Sequence, residues 1–281
     1  MIDFSANAPI LMLGASGPCG QALLERLAGQ GVSILAVSRS APAHSATHVL
    51  WIKQDLDQGP VACEANVLIS AGPLNHVLRQ ADFSPSLGRI IALSSASTEF
   101  KANSSDPSER ELINHLIDLE KALIEVCKSR DISLTLLKPT MIYGGMHNDN
   151  VTRIGKLAEE FRWLPYCGRG LRHPVHADDL AYLMQDCLIR GESSDGVWLL
   201  GGGEALNYPA MMARIARAHD RVPRLIRLPM WFMKLMLSVA HRFHRLEGIR
   251  PVMLERQCMD LLVDDTSAKK LLDWEPRAFR P

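Results

Sequence analysis

The chain has 281 residues, 47% hydrophobic and 22% charged, enough for one sizeable core and a smaller appended lobe. Its 31 basic and 31 acidic residues cancel, so it carries no electrostatic footprint for nucleic acid. The six cysteines are scattered without CxxC or Cys/His pairing, which argues against a metal site or disulfide framework and leaves small buried hydrophobes as the reading.

The residues before the first apolar run are polar and acidic, with no basic n-region or long apolar segment, so a reducing cytoplasm is the expected location. Ile10 to Leu13 reads as a buried strand, followed by Gly14-x-x-Gly17-x-x-Gly20 and a helical pattern with Leu23, Leu24 and Leu27, closed by Gly29 and Gly31. Strand, glycine turn and helix together aim free backbone N–H groups at a pyrophosphate. Gly14 serves the tight turn, Gly17 the close approach of phosphates and Gly20 the packing of helix on strand; Ser16 lies inside the turn and Pro18 suits a first-turn position. An ordinary tight turn can have the same composition, so the surroundings carry the assignment.

Val32 to Val37 reads as a second strand, ending in Ser38-Arg39-Ser40 with no acid to hold a ribose hydroxyl. That favours NADP, with NAD still open, although Arg39 equally suits a solvated loop or a stack on adenine. His48 to Ile52 is a third strand; after it Asp55 and Leu56 flank the adenine, or Asp55 only closes a turn. The connection to a fourth strand, Asn66 to Ser70, has room for no more than a rudimentary helix. Ala71 and Gly72 then let the backbone pass close to a ribose. A fifth strand, Arg89 to Leu93, ends in Ser94 and Ser95.

Asp106-Pro107-Ser108-Glu109 is a capping-box helix start, and Leu112, Leu116, Leu119, Leu123 and Cys127 form one apolar stripe. Strand six, Ser133 to Leu137, leads into Lys138-Pro139-Thr140-Met141-Ile142-Tyr143-Gly144-Gly145. Alternating strands and helices predict an α/β fold with a Rossmann-type, doubly wound parallel sheet. Beyond Gly145 come a polar turn from Met146 to Asn150, a basic helix, and the glycine-punctuated stretch Tyr166 to His176. A helix from Ala177 to Arg190 and a strand from Val197 to Leu200 follow, and the remainder reads as mostly helical. The expected division is residues 1–145 and 173–203 for dinucleotide binding, and 146–172 and 204–281 for a small, mostly helical substrate lobe.

The glycine turn, Ser94-Ser95, Leu137-Lys138-Pro139-Thr140-Met141-Ile142-Tyr143-Gly144, Arg172-His173-Pro174-Val175-His176-Ala177-Asp178-Asp179-Leu180-Ala181 and the tail Asp265 to Arg277 occur in a specific order. In that order they resemble the extended and atypical short-chain dehydrogenase/reductases, the group of nucleotide-sugar epimerases and dehydratases. The resemblance covers nearly the whole length and implies an NAD(P) cofactor and a nucleotide-sugar substrate. It also implies a Ser/Thr after strand five and a Tyr-x-x-x-Lys pair on the next helix, the Tyr as acid/base and the Lys lowering its pKa. That pair is missing: the tyrosines are 143, 166, 182 and 208. With Glu120 aligned to the family's acidic position, Leu112 and Leu116 stand where Tyr and Lys are expected, and a leucine exchanges no proton. An NADP(H)-binding protein without turnover, serving structure, redox sensing or complex assembly, is the alternative function.

Ser95, ahead of Ser94, is the candidate to orient a reacting oxygen, unless both serines only satisfy loop backbone. Tyr143 is the surrogate acid, or a pocket wall. Lys138 is a cofactor contact, or a structural cation pinning strand-end carbonyls or Asp179. Asn150, Arg172 and His176 are substrate-binding candidates, with solvated-loop or helix-cap readings beside them. His115 points off the apolar stripe. From Met230 to Ala240 only Lys234 and Ser238 are polar, and with His241, Arg242 and Arg245 they trace a narrow stripe. That run is too short to span a membrane and fits burial in the lobe, a subunit interface or peripheral membrane contact.

Overall fold

The computed structural model describes residues 9–39, 46–145, 150–244 and 249–281. Ser40, residues 146–149 of the polar turn and Arg245 of the basic stripe lie outside the described residues. Seven parallel strands form the central sheet in the order β11-β6-β5-β4-β1-β2-β3. They are β1 (Ile10–Leu13), β2 (Ile34–Ser38), β3 (Val49–Lys53), β4 (Val67–Ser70), β5 (Arg89–Leu93), β6 (Ser133–Pro139) and, from much later in the chain, β11 (Gly196–Leu200). The order reverses between β1 and β4, and in such sheets ligands bind in the crevice outside the carboxyl ends at that point.

Period-two alternation explains the two layers. Ile10 and Met12 of β1 face one apolar core, and Leu11 and Leu13 face the other. The first core is covered by α1 (Pro18–Ala28) and α6 (Ala177–Arg190). The second is covered by α2 (Leu74–Phe83) and α4 (Pro107–Ser129), with α3 (Ser97–Lys101) short and next to α4. The sequence gives α2 no strong signal, whereas the residues between β3 and β4 form no helix at all. Strand β2 starts two residues later than expected because the amide of Val32 still closes the end of α1 on Leu27. Strand β3 starts one later because His48 has a positive φ of 70°.

Cys19, Cys127, Cys167 and Cys187 are buried, and burial pushes the Cys19 thiol up to about 12 and the other three up to about 11. They behave as small hydrophobes. At the amino edge of the sheet, the buried guanidinium of Arg89 donates to Thr135, Ser194 and the Cys187 carbonyl and pairs with Asp195. It ties β5, β6 and the end of α6 together.

Two further cores lie outside the sheet. One gathers β7 (Ile142–Tyr143), α5 (Asn150–Glu160), β8 (Trp163–Tyr166), β12 (Leu206–Asn207) and α7 (Tyr208–Ala218) around Tyr143, Ile154, Met211, Ile215 and Phe279. The other packs Cys167 with Met233 and Leu237 of α8 (Met230–Arg242) and Leu254 of α9 (Pro251–Arg256). Short pairs join β9 (Leu171–Arg172) to β12, β10 (Val175–His176) to β7 and β13 (Arg224–Arg227) to β8, so this part is less purely helical than expected. The tail also departs from the expected division. Ala268 of α10 (Thr266–Leu271), Leu272 and Trp274 pack into the first sheet core, where Trp274 donates to the Gly201 carbonyl.

Candidate functional site

The glycine turn follows β1 directly. Gly14 has φ +71°, and a Cβ there would lie 2.4 Å from the amide nitrogen of Gly72, so the loops after β1 and β4 touch backbone to backbone. A Cβ on Gly20 would lie 2.1 Å from the Gly14 carbonyl oxygen, which makes this glycine the seat of the helix on the strand. Gly17 differs: its φ of −80° suits any residue, and a Cβ would meet only the Gly14 oxygen at 3.5 Å. Space on that side is open. Pro18 opens α1 at a place where a missing N–H costs nothing, and the first-turn amides of Cys19 and Gly20 have no helical acceptor. Ser16 is exposed at the crest of the turn. Gly145 adjoins Pro18 so closely that a Cβ would overlap the proline ring, which brings the loop after β7 beside the turn.

Along the rest of the edge, Ala71 donates to the Leu13 carbonyl and the Gly72 amide donates to Ser70 Oγ at 3.2 Å. Arg39 is exposed after β2, and its charge reaches an acid from the next loop, Asp57. Asp57, from the loop after β3, is held below the ordinary aspartate range, first by a hydrogen bond with His76 and also by the charges of Arg79 and Arg39. Asp55 takes the turn-closing alternative: its carboxylate accepts from the Asp57 amide at 3.1 Å. Leu56 packs against the second core.

The carboxyl ends of β5 and β6 hold a compact ionic cluster. Lys138 Nζ lies 2.7 Å from Glu99 and 3.0 Å from Glu120, and Ser94 donates to the other oxygen of Glu120. Lys138 and Glu120 are buried, whereas Glu99 is exposed. Asp179 is not the partner of Lys138; it accepts from the backbone and side chain of Arg277. Ser94 is therefore committed to Glu120, while Ser95 Oγ accepts the Ser97 amide at 3.1 Å and keeps its own proton to donate. The pairing of Glu120 with Lys138 could not be foreseen from spacing, because the two lie 18 residues apart on different elements.

The predicted stripe of α4 needs correction at its start. Leu112 is 64% exposed, and Ile113 takes the buried place. At 23 residues the helix is about 35 Å long, against roughly 23 Å for the seven residues of β6, so it is longer than the strand that follows it. The capping box is half formed: Asp106 caps the amides of Ser108 and Glu109, but Glu109 turns to Ser104 and Arg256 instead of back to the cap. Leu116 lies partly buried against the second core, and His115 is exposed.

Three expected site residues are otherwise employed. Tyr143 is 1% exposed, its ring is edge-on to His176 and Phe279, and its hydroxyl accepts the Arg280 amide at 3.1 Å. Burial raises its pKa, opposite to the tuning of a tyrosine that exchanges protons near neutrality. Tyr143 is thus corrected from acid to brace. Arg172 is buried, donates to the carbonyls of Leu171, Met259 and Arg256 and lies over the Tyr208 ring, so it clamps the lobe instead of facing a phosphate. His176 caps α6, its Nδ1 accepting the Asp178 amide, which puts the ring proton on Nε2; burial and then Arg277 lower its pKa. Asn150 opens α5 and is exposed.

No protein-family model matches the chain. A UDP-glucose 4-epimerase of Vibrio cholerae is 24% identical over 161 residues, 57% of this chain; the match spans 47% of that relative, under half of its length. Among solved structures, an epimerase from Methanothermobacter thermautotrophicus superposes with a TM-score of 0.70 at 16% identity, covering 98% of this chain and 89% of that one. The UDP-glucuronic acid 4-epimerase of Bacillus cereus, in complex with UDP-glucuronic acid and NAD, gives 0.68 at 14% identity, covering 96% and 95%. What the chain shares with these structures is the fold, a doubly wound Rossmann-type α/β sheet with an appended lobe.

Proposed function

We propose that this chain binds NAD or NADP along the carboxyl edge of its sheet and acts on a nucleotide sugar as an atypical relative of the epimerases and dehydratases. The observation that carries the reading is Gly17, whose missing side chain leaves open space where β1 turns into α1 at the reversal of strand order. The pyrophosphate would be held by the turn from Gly14 to Gly20, and the adenosine end by Arg39. The nicotinamide side would run past Ala71 and Gly72 toward Ser95. A nicotinamide held there supplies hydride exchange with a carbon bearing a hydroxyl. Ser95 is the side chain that would orient that oxygen, since Ser94 and Lys138 are occupied by Glu120.

Calorimetric titration with NAD and NADP, followed by turnover assays with sugar nucleotides, tests the reading. Ser95→Ala is expected to lower turnover about a hundredfold or more while leaving cofactor affinity unchanged. Tyr143→Phe is expected to cost only about 1 kcal/mol of stability. Absence of dinucleotide binding would overturn the proposal.

Arg39 bears on the choice of cofactor. A charge-assisted Arg–phosphate contact is worth roughly tenfold to a hundredfold in affinity, so Arg39→Asp should shift preference from NADP to NAD by that factor. Asp57→Asn should move it the other way and by less, because that carboxylate is hydrogen-bonded to His76 and only its charge reaches Arg39. Equal affinities across both substitutions would remove Arg39 from the cofactor site.

A second reading, dinucleotide binding without turnover, is favoured by one observation: the helix positions that resemble the Tyr and Lys sites carry Leu112 and Leu116, the first of them facing solvent. It predicts tight binding, no hydride transfer with any sugar nucleotide and no catalytic consequence of Ser95→Ala.

A further inference from the structure

Helix α8 is apolar on two opposite faces. Met233 and Leu237 pack into the lobe with Cys167 and Leu254. On the other side Trp231, Phe232, Leu235, Met236, Val239 and Phe243 are exposed, Trp231 by 67% and Phe243 by 71%. At about 100° per residue these six positions fall within one arc of roughly 140°, centred away from Met233 and Leu237. Side chains of this size on one outward arc form a coherent surface, not scattered exposure.

The cations around it are arranged with equal consistency. From Arg221 to His244 the chain carries five Lys or Arg and no Asp or Glu, although the protein as a whole is neutral. Lys234 is engaged with Glu255. Arg221, Arg224, Arg227 and Arg242 are exposed and have no ion-pair partner among the described residues. Arg227 stands three residues before the helix and Arg242 in its last turn, so positive charge brackets the apolar arc at both ends. Arg224 lies beside exposed Trp163 across the β13–β8 pair and extends the same chemistry.

We infer that this face rests on an anionic lipid surface, with α8 in the plane of the headgroups. Three features select that occupant. Tryptophan and phenylalanine with flanking arginines and no acids are complementary to an anionic interface. The arc is too small for a specific dimer: 13 residues make a helix about 20 Å long, and a face about 10 Å wide gives roughly 200 Å², against ~800 Å² per partner in a stable interface. Uncompensated arginines would also face each other if a second copy docked on the same face. Spanning is excluded for this helix, since no helix among the described residues is long and apolar enough to cross a membrane.

Co-sedimentation of the full chain with phosphatidylcholine vesicles, with and without phosphatidylglycerol, tests the inference, and light scattering without lipid runs in parallel. Binding is expected only to the anionic vesicles and should weaken as salt rises. The Trp231→Ser/Leu235→Ser double variant should partition at least about tenfold less, with an unchanged thermal midpoint because both side chains face solvent. Arg227→Gln/Arg242→Gln should lose affinity comparably. The inference is overturned if neither vesicle binds, or if binding survives the apolar substitutions. A lipid-free dimer that the same substitutions dissolve would overturn it too, in favour of a second copy.

Discussion

Gly17→Val is expected to abolish dinucleotide binding, lowering affinity by more than about a hundredfold, while the protein stays folded. The backbone at Gly17 is extended, with φ −80° and ψ 167°, so valine meets no conformational penalty there. Its Cβ would stand 3.5 Å from the nearest oxygen and project into the space assigned to the pyrophosphate. Gly20→Ala is the control, with the opposite signature. A methyl group 2.1 Å from the Gly14 oxygen must push α1 off β1, and overpacking of that kind costs about 1–3 kcal/mol or more. Calorimetry and thermal melts on both variants separate ligand space from packing space. Full affinity in Gly17→Val would remove the cofactor from this turn.

The second large effect concerns Lys138 and Glu120. Lys138→Met leaves the buried Glu120 an uncompensated charge beneath the carboxyl edge of the sheet and should cost about 3–5 kcal/mol, whereas Glu120→Leu should cost less, because Lys138 keeps Glu99 at 2.7 Å. The double substitution should recover much of that loss, since two apolar groups replace a pair whose desolvation was itself costly. Glu99 is exposed and tolerates losing its cation, so Glu99→Gln should change stability little. Denaturant unfolding of the four variants measures the coupling directly. Additive losses would show that the two side chains do not depend on each other. A thermally stable double variant also provides a background in which Ser94, released from Glu120, can be compared with Ser95 in turnover.

Some of this was determined by the sequence alone. The glycine spacing after an apolar run, the alternation of buried strands with helices, and the start of α4 at Asp106 are local signals. Backbone sterics and hydrogen bonding enforce them wherever the chain lies, and β5 and α6 fall at their expected bounds for that reason. The absence of tyrosine from α4 is equally legible, because it needs no geometry.

What only the tertiary structure decided is how polar side chains are shared. Ser94, Lys138, Arg172 and His176 sit among residues of the right type for a site, yet each is committed to a partner brought by another element or by a helix end. Tyr143 looks like an acid until Arg280, 137 residues away, brings its amide to the phenol. The two faces of α8 are also indistinguishable in sequence, since both are apolar. Packing against Cys167 and Leu254 chose Met233 and Leu237 for the core and left Trp231 and Leu235 outside. Periodicity reports which residues share a face of a helix; which face finds a partner depends on long-range contacts that no local pattern encodes.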